Sequence, residues 1–293
     1  MKNAPVRHAV EYALLLPFHG LVRALPHAAS RRLGAGLGAL AHVVDRRRRR
    51  IAADNLAHAF PESSVAERAR LVAGCFRHFG ASFVDALSAL RFDQVELCQR
   101  TTIGGLEHLV AAVERGQGVI ALGAHFGSWE VIPPTIARAV GPIASVGRPP
   151  DNPHVARIVD GLRNRYGNRA LEKRGAVREM FRILKAGGRL GLLLDQRVRA
   201  DEAIAVPFFG RPAWTSAIVA RLAQKTGAAV VPVFGDHLPG GRYRVDFHPA
   251  LLAGDDESDE ATLAFTRRCV EVCEATIRTA PEKWLWLHDR WKR

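Results

Sequence analysis

Residues 121–130 read ALGAHFGSWE, which places a histidine and a glutamate five positions apart directly after an apolar run. Imidazole is the side chain whose ordinary pKa suits proton transfer near neutral pH. A carboxylate bonded to one ring nitrogen fixes the tautomer and leaves the other nitrogen free as a base. His125 and Glu130 therefore predict general-base catalysis. The same pair is also compatible with a strand-end histidine that is merely satisfied by a glutamate.

The spacing of these two residues limits how they can meet. Five residues along one α-helix correspond to about 500°, which would put the side chains on different faces. We therefore expect His125 in the turn before a helix and Glu130 in its first turns, from where the carboxylate reaches back to the ring. Gly127 permits the close turn, and Trp129 is expected to shield the site from water.

Two further polar residues follow predicted strands as His125 does. Arg148 follows the run PIASVG, and Asp195 follows LGLLL. In open α/β sheets, ligands bind beyond the carboxyl ends of the strands. Three such residues on three strands therefore predict a single site.

Arg163 is a candidate of a different kind, because it flanks the apolar stripe of a helix predicted over 155–166. A partly buried arginine needs an anionic partner. Asp160 or Glu172 would serve a structural role, and a substrate phosphate would serve a binding role. The spacing does not decide between them.

Covalent and metal chemistry are both disfavoured by the sequence. There is no serine or cysteine in a strained turn of the GxSxG type, which favours direct attack by a substrate hydroxyl. His125 and Glu130 do not form an HExxH motif, and no third ligand accompanies them. Cys269 and Cys273 lie one helical turn apart without nearby histidines, so we interpret them as reduced structural thiols.

Short apolar runs alternate with amphipathic stretches through most of the chain. The predicted strands cover 118–123, 142–147, 189–194 and 228–235, with an edge strand over 243–247. The predicted helices cover 65–90, 106–115, 155–166, 176–186 and 260–277. This alternation predicts an α/β fold with a mostly parallel central sheet flanked by helices.

The first 45 residues are predicted to form a membrane-associated helical segment, and 46–293 a single α/β domain. The apolar stretches over 9–25 and 33–44 are interrupted or short against the ~20 residues of a membrane span. Helices that lie in or dip into a bilayer surface fit them better. A secretory signal peptide is the rival interpretation.

The chain is strongly basic, with 42 lysines and arginines against 29 acidic residues and a net charge of +13. Anionic partners are therefore expected: acidic lipid headgroups, an acidic carrier protein or nucleic acid. No nucleic-acid-binding motif is present, so nucleic acid is not expected. Five consecutive arginines, 46–50, follow the apolar segment and favour a membrane surface. A non-catalytic binder of anionic surfaces is the alternative function class.

Several segments together resemble the bacterial lipid A biosynthesis acyltransferases, within the lysophospholipid acyltransferase superfamily. They are RRRRRIAADNLAHAFPE, GAHFGSWE, GRPPDNP, LLLDQR, VPFFGRPA and WLWLHDRWK, and they span nearly the whole chain. The family's His-x4-Asp/Glu dyad falls on His125 and Glu130. Its substrate-binding positions fall on Arg148, Arg163 and Asp195.

The resemblance implies transfer of a fatty acyl chain from acyl-acyl carrier protein to a hydroxyl of a phosphorylated glycolipid. His125 would be the general base and Glu130 its orienting partner, while Arg148 and Arg163 would hold phosphate groups. The reaction would need no metal or dissociable cofactor and would occur at the cytoplasmic face of the inner membrane. Acylation of another glycolipid or a lysophospholipid, and hydrolysis by a thioesterase or esterase, are the alternatives.

Overall fold

The computed structural model describes residues 4–89, 92–147, 151–172, 175–199 and 203–292. Arg148, one of the predicted binding residues, lies outside these ranges. The N-terminal segment and the other four predicted site residues lie within them, apart from residues 1–3.

Within the described ranges, nine strands form two sheets. They are β1 (Thr101–Gly104), β2 (Val119–Gly123), β3 (Ala144–Gly147), β4 (Arg169–Glu172), β5 (Arg189–Leu193), β6 (Ala203–Phe208), β7 (Arg211–Ser216), β8 (Ala229–Leu238) and β9 (Arg242–Phe247). The main sheet has the order β1-β9-β8-β2-β5-β3-β4, and β6 and β7 form a separate antiparallel hairpin. Within the main sheet only β8 and β9 pair antiparallel. The predicted α/β fold with a mostly parallel sheet is confirmed.

Eleven α-helices are present in the described ranges. They are α1 (Ala4–Ala24), α2 (His27–Val44), α3 (Arg46–Ala59), α4 (Val65–Ala89), α5 (Gln94–Gln99), α6 (Leu106–Glu114), α7 (Ile132–Val140), α8 (Pro153–Arg163), α9 (Val177–Lys185), α10 (Ile218–Thr226) and α11 (Asp259–Thr279).

Strand β2 lies at the centre of the main sheet. All five of its residues are buried, as expected for a parallel strand that is covered on both faces.

The strand predicted at an edge is the main topological difference. β9 lies inside the sheet, hydrogen-bonded to β8 on one side and to β1 on the other. β1 carries the sequence TTIG, which is too short and polar for its period to be recognised. Its pairing with β9 depends on a contact between residues more than 140 positions apart, which periodicity does not report.

The N-terminal helices pack on the rest of the chain through very close helix contacts. Gly34 and Gly38 of α2 face Gly80 of α4, and a Cβ at any of these glycines would overlap backbone atoms of the opposite helix. The five arginines 46–50 begin α3, where the Asp45 side chain accepts a hydrogen bond from the Arg48 N–H. Among the described residues, no helix is both long and apolar enough to cross a bilayer.

The core lies on both faces of the sheet and extends beneath the C-terminal residues. Trp284 and Trp286 are almost completely buried. Cys269 and Cys273 are buried free thiols of α11. Burial raises the pKa of Cys269 to about 12, which keeps it protonated and supports the structural interpretation.

Candidate active site

His125 and Asp195 meet because their strands are parallel neighbours in register. Gly123 at the end of β2 pairs with Leu193 at the end of β5, and the Leu194 N–H donates to the Gly123 carbonyl oxygen. The residues two positions beyond each strand end therefore lie side by side. The His125 Nδ1 and the Asp195 Oδ1 are 2.9 Å apart, and the His125 backbone N–H donates to Oδ2 at 2.9 Å.

Asp195 remains ionised although it is buried. Its side chain has no exposed surface, and burial alone would raise the pKa of the carboxyl. The charge of His125 and the hydrogen bonds from His125 and Trp284 outweigh burial and lower the pKa below its ordinary value. The site therefore contains a fixed negative charge directly behind the imidazole.

The same contact raises the affinity of His125 for a proton. Burial would lower the pKa of the imidazole, but the charge and hydrogen bond of Asp195 outweigh burial and raise the pKa above its ordinary value. Glu130 adds to this rise through its charge, and Arg163 opposes it. A raised pKa makes His125 a stronger base.

The ionised Asp195 also fixes the tautomer of His125. A carboxylate only accepts hydrogen bonds, so Nδ1 carries the proton and Nε2 has the free lone pair. The Gln196 amide Nε2 lies 3.3 Å from the His125 Nε2. The His125 side chain is 23% exposed, so a substrate hydroxyl can replace the Gln196 contact.

Glu130 occupies a different position from the one expected. It lies in a short 3-10 helix, Trp129–Val131, and its Oε1 accepts hydrogen bonds from Trp129 Nε1 at 3.2 Å and from Arg163 Nη2 at 2.8 Å. Within the described residues, the imidazole of His125 bonds to Asp195 and Gln196 instead. The prediction that Glu130 accepts a hydrogen bond from the ring was wrong. The register of β2 and β5 places the Asp195 carboxylate closer to the ring than that of Glu130.

The anionic partner of Arg163 is Glu130. Neither Asp160 nor Glu172, the two structural partners considered from the sequence, bonds to Arg163 within the described ranges. Both members of the ion pair are mostly buried, with exposed fractions of 27% and 21%. The Arg163 guanidinium lies over Gly147 at the end of β3, where a Cβ would come within 2.7 Å of Nη1. The pair therefore lies at the same edge of the sheet as His125.

Gly127 makes the turn between the histidine and the glutamate possible, as predicted. Its φ is +60°, and a Cβ would overlap the carbonyl oxygen of Gly235. The Trp129 ring packs edge-on against the imidazole with a centroid distance of 5.5 Å. The loop therefore places the His125 ring in contact with the Trp129 ring.

Two apolar cavities meet at the Glu130–Arg163 ion pair. The first, of about 90 Å³, lies against the sheet, and its apolar lining includes Ala121, Ile143, Leu192 and Val233. The second, of about 340 Å³, is lined by α4 and α8 residues that include Phe79, Phe83, Leu87 and Val159. Both cavities are lined by Trp129, Glu130, Val131 and Arg163. An ionic group and apolar chains can thus be bound side by side.

Elsewhere in the described part of the chain, one cluster has the composition of a metal site. His27, Asp85 and His237 bring their ligand atoms within 4.8 Å of one another. Asp85 is already occupied, because it is 2.7 Å from His27 Nε2 and 2.5 Å from Arg31 Nη1. The Arg31 cation neutralises the carboxylate and repels a metal ion. We therefore interpret the cluster as a buried ion pair that stabilises the packing of α2 on α4 and on the sheet.

Two residues of the site were missed from the sequence. Gln196 contacts His125 Nε2, and the Trp284 indole Nε1 donates to Asp195 Oδ2 at 2.7 Å. Both lie in segments that carry the family resemblance, LLLDQR and WLWLHDRWK. Proximity to Asp195 was the available signal for Gln196, whereas Trp284 gave no spacing signal at all.

The fold and the site define an α/β protein that holds a histidine–carboxylate pair at the carboxyl edge of its sheet. The model of the bacterial lipid A biosynthesis acyltransferase family matches residues 2–293. The chain belongs to that family, and it is an acyltransferase.

Characterised relatives cover most of the chain. It is 31% identical to the lipid A biosynthesis lauroyltransferase of Escherichia coli (strain K12) over 277 residues, 93% of this chain and 88% of the relative. It is 28% identical to the lipid A biosynthesis palmitoleoyltransferase of the same strain, over 92% of this chain and 86% of the relative. A phosphatidylinositol mannoside acyltransferase of Mycolicibacterium smegmatis is 26% identical, over 68% of this chain and 65% of the relative.

Proposed function

We propose that this protein transfers a fatty acyl chain from acyl-acyl carrier protein to a hydroxyl of a phosphorylated glycolipid, a lipid A precursor, at the cytoplasmic face of the inner membrane. The observation that carries the proposal is the His125–Asp195 pair, which holds Nδ1 protonated and leaves the lone pair on Nε2 of a side chain that is 23% exposed. The relatives named for lipid A biosynthesis support the choice of acceptor.

In this reaction His125 Nε2 removes the proton of the acceptor hydroxyl while the oxygen attacks the thioester carbonyl carbon. The tetrahedral intermediate then collapses with cleavage of the C–S bond. The imidazolium returns the proton to the departing sulfur, so the products are an ester and a free thiol. Such general-base catalysis contributes about 10²- to 10⁴-fold.

The two carboxylates have different tasks in this scheme. Asp195 orients the imidazole and stabilises the imidazolium through direct contact. Glu130 completes the proposed His/Glu dyad through its charge rather than through a hydrogen bond, since it favours the protonated His125 from a distance. Arg163 holds Glu130 in place and, together with Arg148, would bind phosphate of the glycolipid or of the carrier's prosthetic group.

The apolar cavities supply the room that the acyl chains need. They adjoin the Glu130–Arg163 ion pair, so a substrate with a charged head and an apolar tail would bind across this boundary. The basic surface of the chain, with a net charge of +13, attracts both an acidic carrier protein and an anionic lipid.

The N-terminal helices would bring the enzyme to its lipid substrate. Several apolar side chains of α1 and α2 are exposed, among them Leu16, Leu21, Leu37, Leu40, Val43 and Val44. Those of α2 lie directly before arginines 46–50, and a basic residue at an anionic bilayer surface adds about 1 kcal/mol of attraction. Together they fit a helical face that lies in the membrane interface.

The test is an acyl-transfer assay with radiolabelled acyl-acyl carrier protein, a lipid A precursor and detergent-purified protein. We expect labelled glycolipid with the wild type and none with His125→Ala, while His108→Ala, a histidine of α6, leaves transfer intact. Retained transfer in His125→Ala would refute the assignment of the base. Labelled free fatty acid in place of glycolipid would indicate a thioesterase or esterase. Transfer only to a mannoside or lysophospholipid would reassign the acceptor.

A further inference from the structure

The C-terminal residues run directly along the loop that carries His125. Phe126 and Trp284 form an antiparallel β-bridge. The Gly127 N–H donates to the Lys283 carbonyl oxygen at 3.0 Å, and the Leu285 N–H donates to the His125 carbonyl oxygen at 3.2 Å. The backbone of the histidine loop is therefore held by the chain's last segment.

The same segment also binds the carboxylate behind the histidine. Asp195 accepts three hydrogen bonds: two from His125 and a third, at 2.7 Å to Oδ2, from the Trp284 indole. An indole N–H can only donate, so it binds the ionised carboxylate and helps to lower its pKa. Without this donor, Oδ2 would retain the His125 backbone N–H alone.

Packing fixes the direction of this N–H. Trp284 is 1% exposed, and its ring lies edge-on to Phe208 and Trp286 at centroid distances of 5.4 and 4.5 Å. The Cys75 thiol donates to its carbonyl oxygen. Trp284 is too deeply buried to reach a substrate, so it is placed to act on the carboxylate.

Resting on the proposed function, we infer that Trp284 is a positioning residue for the acyl transfer, which clamps Asp195 so that this carboxylate holds His125 in the reactive orientation. The C-terminal segment 283–285 thereby couples the two loops that follow β2 and β5. This role has a signature that simple core packing lacks. Loss of the indole N–H alters the charge on Asp195, and hence the protonation of His125.

The direction of that change follows from electrostatics. A donor to Oδ2 disperses the negative charge of the carboxylate. Its removal concentrates the charge opposite the imidazole and stabilises the imidazolium more than the neutral ring. The pKa of His125 should therefore rise, and the acid limb of the rate profile should move to higher pH.

The experiment compares Trp284→Phe with Trp286→Phe. Trp286 is an equally buried neighbour in the same aromatic cluster, but its indole N–H donates to the Pro281 carbonyl oxygen. We expect Trp284→Phe to lower kcat about 10-fold or more at unchanged KM and to move the acid limb of the rate profile to higher pH. Trp286→Phe should leave the acid limb in place. Identical pH profiles for the two variants would overturn the inference.

Two further measurements separate positioning from loss of structure. In an Asp195→Asn background, Trp284→Phe should lower kcat no further, whereas two independent losses would multiply and contradict the inference. If Trp284→Phe fails to fold, 3-benzothienylalanine incorporated at position 284 preserves the ring shape without the N–H. The same upward shift is then expected, and its absence would overturn the inference.

Failure of the proposed function would be recognised separately. An NMR titration of the His125 ring requires no substrate and reports its pKa directly. A wild type that transfers no acyl group, while Trp284→Phe still shifts the ring titration, would remove the proposed reaction and leave the Trp284–Asp195–His125 linkage intact. If the wild type transfers the acyl group but Trp284→Phe leaves the ring titration unshifted, the proposed reaction stands and the Trp284–Asp195–His125 linkage is refuted.

Discussion

Replacing Asp195 by asparagine is the perturbation whose outcome the geometry specifies most fully. Oδ2 accepts two N–H groups, from His125 and Trp284, and Oδ1 accepts one, from the ring Nδ1. The amide oxygen of asparagine will therefore take the Oδ2 position, where it keeps two donors. The amide NH₂ then faces Nδ1 and must donate to it.

This exchange inverts the tautomer of His125. With Nδ1 as an acceptor, the neutral ring carries its proton on Nε2, which leaves no lone pair for the substrate hydroxyl. Comparable carboxylate-to-amide changes behind a catalytic histidine cost about 10⁴-fold in kcat, or about 5 kcal/mol of transition-state stabilisation. We expect a loss of about 10³- to 10⁴-fold in kcat at pH 7, with KM little changed.

The variant also changes the pH dependence. The pKa of His125 exceeds its ordinary value because Asp195 outweighs burial. Without the Asp195 charge, burial dominates and the pKa falls, so the residual activity should persist to lower pH than in the wild type.

The assay is steady-state transfer from radiolabelled acyl-acyl carrier protein across pH 5 to 9, with circular dichroism to verify folding. Asp246→Asn is the matched control, because Asp246 lies on β9, two strands away from β2, in an exposed ion pair with Arg244. Wild-type activity and an unmoved acid limb in Asp195→Asn would refute the orienting role of Asp195.

Three other outcomes are expected. A double-mutant cycle of Glu130→Gln and Arg163→Met, followed by urea unfolding, should give a coupling free energy of about 1–3 kcal/mol, since the pair is mostly buried. Asp85→Asn should cost about 3–5 kcal/mol in the free energy of unfolding at pH 7, because it leaves Arg31 without its anion. The pKa of Asp85 is lowered on folding, so this contribution exists above the ordinary carboxyl pKa, and the difference from wild type should vanish as acid protonates the folded carboxyl. Leu40→Glu should weaken flotation with anionic vesicles, because Leu40 is 59% exposed on the apolar face of α2.

Each of these has a control within the chain. The exposed pair Lys225–Glu257, at 3.7 Å, should show a coupling of only about 0–1 kcal/mol in the same kind of cycle. Leu252→Glu, at an exposed site distant in sequence from the N-terminal helices, should float like the wild type. Equal coupling free energies in the two cycles would contradict the first prediction. A destabilisation by Asp85→Asn that does not change with pH would contradict the second. Equal flotation of the two leucine variants would contradict the third.

The edge of the sheet that carries the candidate site was predictable because it depends on local patterns. Apolar runs ending in His125 and Asp195 marked two strand ends, and parallel strands bring such ends to one edge of a sheet. That Asp195 and not Glu130 bonds to the ring of His125 was not predictable from spacing. Glu130 is five residues from His125, whereas Asp195 is 70 residues away and is brought into contact by the register of β2 with β5.

Other features depended on contacts that no local period encodes. β9 was expected at an edge because β1, four residues long and largely polar, gave no signal of the strand beside it. The packing of α2 on α4 through Gly34 and Gly80 likewise requires knowledge of the facing helix. The contact of the Trp284 indole with the Asp195 carboxylate joins residues 89 positions apart, so no local spacing indicated it.

The central claim is that His125 is the base, held ready by Asp195, and the most direct test is to measure one pKa in two ways. An NMR titration of the His125 ring in the folded enzyme gives the pKa of the side chain, and the acid limb of kcat/KM gives the pKa on which catalysis depends. We expect the two values to coincide above the ordinary value of about 6.5, and the acid limb to disappear in His125→Ala together with the activity. A rate profile that follows another group, or a His125 pKa below the ordinary value, would contradict the central claim.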